Sequence, residues 1–205
     1  MDSTDKLIEL FKEFPGIGPR QAKRFVYFLL TRQNGYTKDL AELILAVRSN
    51  VQMCDSCFRF FTKNGGHTNT CPTCRDIHRD TSSLMIVSHD VDFENIERTR
   101  VYTGLYFVLG GTIPILEKTP ERKIRQKELL DIISKRTTNG LKEIIIALSY
   151  NPEGENTLSY LKQILKPITE AHSIKISTLG RGLSTGTELE YSDSDTIKNA
   201  LKNRQ

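Results

Sequence analysis

Leu84-Met85-Ile86-Val87-Ser88-His89-Asp90 decides the fold of the longer part of the chain: four consecutive aliphatic side chains, then an abrupt change to polar ones. So short an unbroken aliphatic run predicts a strand buried on both faces, as strands of a parallel sheet are. Tyr106-Phe107-Val108-Leu109, Glu143-Ile144-Ile145-Ile146-Ala147-Leu148 and Ser173-Ile174-Lys175-Ile176-Ser177 repeat the pattern. Helical stretches separate them near 91–98, 121–136 and 155–168, and Thr119-Pro120 offers an N-cap followed by a first-turn proline. Strands alternating with helices predict βαβ units around a mainly parallel sheet, an α/β domain.

Upstream, residues 1–52 read as helices joined by short turns. Leu7, Ile8, Leu10, Phe11 and Phe14 fall at helical spacing before the break Pro15-Gly16-Ile17-Gly18-Pro19. A second helix carries Ala22, Phe25, Val26, Phe28, Leu29 and Leu30 and is expected to end near Asn34-Gly35. Thr37 is placed to cap a third, holding Leu40, Leu43, Ile44 and Val47. In the first corner, Gly16 and Gly18 bracket Ile17, which plugs the hairpin from inside. Without Cβ atoms there, backbone N–H groups can approach a phosphate, and the helix from Pro19 turns its positive end the same way. Arg20, Lys23 and Arg24 add charge on one side of that helix. Such a helix-hairpin-helix grips a DNA backbone without reading bases; the bland alternative is a tight corner whose cations face water.

Four cysteines form the third signal. Cys54-x2-Cys57, thirteen residues, then Cys71-x2-Cys74 presents two thiolate pairs to one ion, with Pro72 in the second turn. Four thiolates close the coordination shell, so the expected role is structural, one Zn²⁺ per chain, supplying folding free energy to a segment poor in aliphatics. Two disulfides or a redox pair fit less well. The clustering of all four cysteines, and a start in Met1-Asp2-Ser3-Thr4-Asp5 without a basic n-region, point to a reducing compartment. His67 and His78 lie near but are not needed as ligands.

The chain has 205 residues with 29 Lys+Arg against 25 Asp+Glu, net +4. That charge permits nucleic-acid binding without demanding it, and no apolar run approaches membrane-spanning length. A cytoplasmic, nucleoid-associated location is expected.

Taken in order, these motifs resemble the RecR family of bacterial recombination mediators, from about residue 5 to about 200. The resemblance rests on Leu10-Phe11-Lys12-Glu13-Phe14-Pro15-Gly16-Ile17-Gly18, the two Cys-x-x-Cys turns and Tyr106-Phe107-Val108-Leu109-Gly110-Gly111. It continues through Pro152-Glu153-Gly154-Glu155-Asn156-Thr157, Leu165-Lys166-Pro167, Gly180-Arg181-Gly182-Leu183-Ser184-Thr185-Gly186 and Glu188-Leu189-Glu190-Tyr191. It implies a helix-hairpin-helix domain (1–52), a four-cysteine zinc finger (53–80), a Toprim domain (81–178) and a C-terminal segment (179–205). It further implies an oligomeric clamp on DNA, dimer to tetramer, that acts with RecO and RecF to load recombinase at single-strand gaps. Glu153 and Glu155 would lie on the face that receives RecO; read without the family, they are first-turn acids suited to a helix N-terminus.

Toprim enzymes hold Mg²⁺ with an acid at the tip of the first strand and an Asp-x-Asp after a later one. Here Ser88-His89 and Ser149-Tyr150-Asn151 occupy those places, leaving Asp90, Asp92, Glu153 and Glu155 nearby. The expectation is therefore a non-catalytic protein, the alternative being a divergent Mg²⁺-dependent nuclease or primase-like enzyme. His89 reads as a solvated loop residue. Gly110-Gly111 reads as a tight βα turn more than a phosphate cradle, and Arg122-Lys123-Ile124-Arg125-Gln126-Lys127 as the wet face of a helix with Ile124 inward. Tyr102, Tyr106 and Tyr191 read as core or interface, and Lys63–His67 as an extended finger tip.

Overall fold

The computed structural model describes residues 2–63, 68–180, 186, 190, 192 and 194–202. The chain divides into two units, residues 1–52 with 62–64, and residues 53–61 with 65–205.

In the first unit, α1 (Ser3–Lys12) starts at Asp2, whose carboxylate accepts the Asp5 N–H at 2.8 Å. The corner that follows leads into α2 (Pro19–Leu30), with Gly18 as N-cap and Pro19 at the first helical position. Ile8, Ala22 and Val26 form a small buried core, with Leu7, Phe11 and Ile17 packed against it. The next boundary corrects the sequence reading: α2 stops at Leu30, and α3 (Asn34–Asn50) begins with Gln33, not Thr37, at its N-cap. Thr31 ends α2, its hydroxyl donating to the Phe28 carbonyl, and Arg32 lies 4.2 Å over the Phe28 ring. The Asn34-Gly35 pair that signals a turn is thus absorbed into a first helical turn. Two short strands, β1 (Val51–Met53) and β2 (Phe60–Thr62), pair with each other.

In the second unit, the one-turn helix α4 (Pro72–Arg75) precedes a parallel four-stranded sheet in the order β4-β3-β5-β6. Its strands are β3 (Asp80–Val87), β4 (Gly104–Val108), β5 (Glu143–Ala147) and β6 (Lys175–Thr178). Ile86 sits level with Phe107 on one side and Ile146 on the other. One face, with Leu84, Ile86, Phe107, Ile144 and Ile146, packs on α6 (Gln126–Thr137) through Leu129 and Ile133. The same face packs on α7 (Pro152–His172) through Leu161 and Leu165. The opposite face, with Met85, Val87, Tyr106 and Val108, packs on Phe93 of α5 (Asp90–Thr99). Both faces are covered, as the aliphatic runs require.

Two helical expectations need correction here. Residues 121–136 are not one helix: Pro120–Arg122 form a 3₁₀ turn, and α6 begins only at Gln126. Ile124 is buried as expected, but Arg125 turns inward and donates to the Phe58 and Val108 carbonyls at 3.0 and 2.9 Å. The Arg125 N–H also donates to the Leu109 carbonyl at 2.9 Å, outside any helical ladder, so Arg125 leaves the wet face on which Arg122, Lys123 and Lys127 remain exposed. In addition, α7 runs five residues beyond Pro167 to His172, ending where Ser173 adopts φ +54°. The last helix, α8 (Ser194–Lys202), falls in the C-terminal segment.

Candidate nucleic-acid interface and metal centre

The corner between α1 and α2 has the form the sequence suggested. Gly16 has φ +77°, the left-handed region where a Cβ is strained, and space beyond both Gly16 and Gly18 is open. Ile17 N–H donates to the Phe14 carbonyl at 3.1 Å while its side chain packs on the small core, so the two glycines face outward. Gly18 makes no side-chain cap, which leaves the start of α2 without an internal acceptor for its first N–H groups. Arg20, Lys23 and Arg24 are exposed, and none forms an ion pair with a described residue. Exposed amides beside uncommitted cations can receive an anion such as a phosphodiester.

In the second unit the four cysteines converge. Their sulfurs all lie within 4.8 Å of one another, with Cys57 and Cys71 Sγ 3.6 Å apart. A tetrahedron of sulfurs about 2.3 Å from a central ion has edges of about 3.8 Å, so the donor set fits a zinc-sized ion. Cys54, Cys57 and Cys71 are buried, and the Ser56 and Cys71 amides donate to Cys54 Sγ at 3.4 and 3.3 Å. These N–H···S bonds orient the ligands and stabilise thiolate charge. Hydrogen bonds from Cys57, then from Cys71 and Cys74, hold the Cys54 thiol well below its ordinary value, while Cys57 is pushed up by sharing with Cys54. A bound cation would lift that competition by letting every thiol ionise. His78 stays outside this group; His67 and residues 64–66 lie outside the described residues.

The first cysteine turn is seated on the sheet, a relation invisible in the spacing. The Cys57 carbonyl accepts the Val108 N–H at 2.8 Å, on the outer edge of β4. Phe58 takes φ +61°, a conformation that costs a residue with a Cβ on the order of 1 kcal/mol. Its ring meets Phe107 at 5.3 Å and its carbonyl takes the Arg125 bond. Arg59 lies 4.3 Å over the Phe93 ring, and Arg136 donates to Ser56 Oγ at 3.0 Å. The Phe60 N–H donates to Asp90 Oδ1 at 2.7 Å.

At the carboxyl ends of the strands, Ser88 is buried and its hydroxyl finds no acceptor or donor among the described residues. His89 is exposed, as expected of a solvated residue before the helix, and it also caps α5, its N–H donating to Asp92 at 2.9 Å in a capping box. Asp90 and Asp92 are thus both engaged by main-chain donors. Glu153 accepts the Thr112 hydroxyl at 3.0 Å, and both Glu153 and Glu155 are exposed in the first turn of α7. Sequence reasoning missed their neighbours. Asn156 donates to the Ile113 and Pro114 carbonyls, and Thr157, fully buried, accepts the Ile113 N–H at 2.8 Å. These bonds pin the loop after β4 to the acidic end of α7. Gly110 has φ +83°, and the Arg125 guanidinium lies where its Cβ would point, so a side chain there would be strained and crowded, as in a tight βα turn.

Tyr102 and Tyr106 pack edge to face at 5.1 Å, Tyr106 within the core; Tyr191 lies outside the described residues, as do 181–185 and 187–189 of the glycine-rich segment. Among the described residues no helix is long and apolar enough to cross a membrane.

Three family profiles match successive parts of the chain: the RecR helix-hairpin-helix over residues 4–48, the Toprim domain over 82–179 and the RecR C-terminal region over 182–205. Similar proteins are known over nearly the whole length. The recombination protein RecR of Bifidobacterium longum subsp. infantis is 38% identical over 200 residues, covering 98% of this chain and 94% of its own. That of Cyanothece sp. is 34% identical with the same coverage. That of Bdellovibrio bacteriovorus is 32% identical over 207 residues, covering all of this chain and 97% of its own. A helical hairpin with two outward glycines, a four-thiol cluster and a parallel α/β sheet, joined in this order and matched end to end by those relatives, place the chain in the RecR family of recombination proteins.

Proposed function

We propose that this protein is a non-catalytic, DNA-binding mediator of recombinational repair. It acts as an oligomeric clamp with RecO- and RecF-type partners to load recombinase at single-strand gaps in the cytoplasm. The observation that carries the reading is the open Gly16-Ile17-Gly18 corner beside Arg20, Lys23 and Arg24. It supports contacts to sugar–phosphate strands that are indifferent to sequence, because main-chain amides and cations read charge and not base edges. Cys54, Cys57, Cys71 and Cys74 hold structural zinc, which closes its shell with four thiolates and supplies folding energy without an open position for chemistry. Glu153 and Glu155 present an acidic helix start to the RecO-type partner.

Assembly is supported by α3, where Leu43, Ile44, Leu45 and Val47 are 59–70% exposed. Exposed apolar side chains in such number suit an interaction surface, and one short chain cannot encircle a duplex alone. The non-catalytic reading is supported by the acids themselves: Asp90 and Asp92 accept main-chain N–H groups, and no Asp-x-Asp follows β5.

The test is retention of a gapped duplex across a salt series. Lys23→Glu with Arg24→Glu should abolish retention at moderate salt and flatten the log–log salt slope by about 2, one unit for each lost phosphate contact. An unchanged slope refutes the interface. Incubation of the wild type with DNA and Mg²⁺ or Mn²⁺ should leave the strands intact and unextended; cleavage or primer synthesis that disappears with Asp90 and Asp92 changed would establish the enzyme alternative.

A further inference from the structure

We infer that Asp90 and Arg125 form a lock that seats the four-cysteine knuckle on the edge strand of the Toprim sheet, so that metal retention depends on two residues that touch no ligand sulfur. The inference rests on the proposed zinc site and extends it to positioning residues outside the cluster.

The geometry is that of a clasp with two jaws. On one side Asp90, the first residue of α5, accepts the Phe60 N–H at 2.7 Å, thirty positions away in sequence. On the other, a single Arg125 nitrogen donates to the Phe58 and Val108 carbonyls at 3.0 and 2.9 Å, tying the knuckle to the end of β4. Between the jaws the Cys57 carbonyl takes the Val108 N–H, and the Cys54 N–H donates to the Arg59 carbonyl at 2.9 Å. Residues 58–60, directly after the first ligand pair, are therefore held at both ends by charged groups from the sheet unit. Phe58 stays at φ +61° within this span.

A charged acceptor or donor makes a stronger hydrogen bond than a neutral one. Loss of Arg125 leaves the partly buried Phe58 and Val108 carbonyls without that donor, and loss of Asp90 hands the exposed Phe60 N–H to water. Loosening 58–60 frees Cys57 to leave the shell, and partners behind the ligands set metal affinity by tenfold or more. Asp90 is thereby committed to the knuckle although it stands beside the strand tip where Toprim enzymes bind Mg²⁺. Asp92, two residues on, caps its own helix and makes no bond to residues 54–61, which provides an internal control.

The experiment uses the full chain. Zinc transfer to a chromogenic chelator is followed for the wild type, Asp90→Ala, Asp90→Asn, Arg125→Met and Asp92→Ala, with amide hydrogen exchange at Phe60 and Val108 measured on the same samples. Asp90→Ala and Arg125→Met should each release zinc about tenfold faster. The Phe60 amide should lose protection in the first, and Val108 in the second. Asp90→Asn, which keeps an acceptor oxygen, should recover most of the wild-type behaviour, and Asp92→Ala should match it. Wild-type release and exchange in Arg125→Met overturn the lock, as does equal acceleration in Asp92→Ala. If Asp90→Ala does not fold, Asp90→Asn and Arg125→Met carry the test alone. A preparation that never holds zinc refutes the metal reading, while the exchange rates still judge the lock.

Discussion

Residues 2–52 bury little: Ile8, Ala22 and Val26 make up the buried core of α1 and α2, and α3, seventeen residues long, buries none of its described side chains. The sheet unit instead sandwiches β3–β6 between helices on both faces, with Tyr106, Phe107, Leu84, Ile86, Leu161 and Leu165 essentially inaccessible. Both regions are rich in aliphatic residues, so composition does not separate them; what differs is whether the chain supplies its own cover. An α-helix with exposed apolar residues draws little stability from propensity alone and needs packing from elsewhere. The sheet unit stands on its own core together with the thiol cluster, while the described residues of the helical unit leave much of their apolar surface uncovered. An open hollow of about 620 Å³, lined by Leu7, Val26, Leu29, Leu30 and Ala41, marks where cover is missing between its helices.

The strongest way to break this contrast is to remove the staple from the self-sufficient half. Cys71→Ser takes away a fully buried ligand. It should abolish stoichiometric zinc and destabilise the sheet unit by about 5 kcal/mol or more, because metal binding energy is folding energy there. Thermal unfolding followed by circular dichroism, beside elemental analysis, reads both effects. Coincident melts for variant and wild type would mean that the thiols only pack.

Next in size is the uncovered half. Leu43→Asp with Ile44→Asp places charge on the exposed face of α3, whose side chains touch no buried core. Monomer helicity should hold while light scattering shows assembly weakened by about a hundredfold, the effect of losing central interface residues. An unchanged molar mass would remove α3 from the assembly surface and leave its exposure unexplained. A smaller effect is expected at the acidic face of the sheet unit. Thr157→Val strips the acceptor from the buried Ile113 N–H and should cost about 1–3 kcal/mol in urea unfolding. Affinity for a RecO-type partner should fall with it, as the loop beside Glu153 loses its anchor.

The sequence made the sheet legible because burial on two faces leaves unbroken aliphatic runs such as Leu84–Val87, and the metal cluster legible because ligand spacing is a local property. The hairpin corner was legible for the same reason, Gly16 standing where φ turns positive. What stayed hidden was everything set by contacts distant in sequence. Arg125 reads as one more cation in a basic run, yet it faces inward because two carbonyls, 67 and 17 residues away, await a donor. The capping roles of Asp92 and His89 and the bond from Phe60 to Asp90 are likewise invisible without the fold. The boundary between α2 and α3 failed for a local reason: Asn34-Gly35 carries a turn signature, and the Phe28–Tyr36 edge contact at 6.1 Å with Arg32 over Phe28 overrode it.

The finest probe of the self-sufficient core is alkaline. Tyr102 lies at its margin, its hydroxyl donating to the Leu105 carbonyl at 3.1 Å and meeting Ser83 Oγ at 3.0 Å. Burial, partly offset by the Ser83 bond, pushes its pKa from 10 up to about 12. A phenol whose folded pKa is raised keeps its proton longer in the folded state than in the unfolded one. Its contribution to stability is therefore fully present below pH 10 and is lost as pH rises from 10 towards 12. Tyr102→Phe removes that proton difference, so its urea midpoint should fall less steeply across this window, by a slope equivalent to about one bound proton. Below pH 10 the variant should be weaker by about 1 kcal/mol, the hydrogen bond to Leu105 being gone. The two curves should thus approach each other as pH rises above 10 and cross within this window. Parallel curves would mean that Tyr102 ionises as readily folded as unfolded, and that the edge of this core is wetter than its packing against Tyr106 implies.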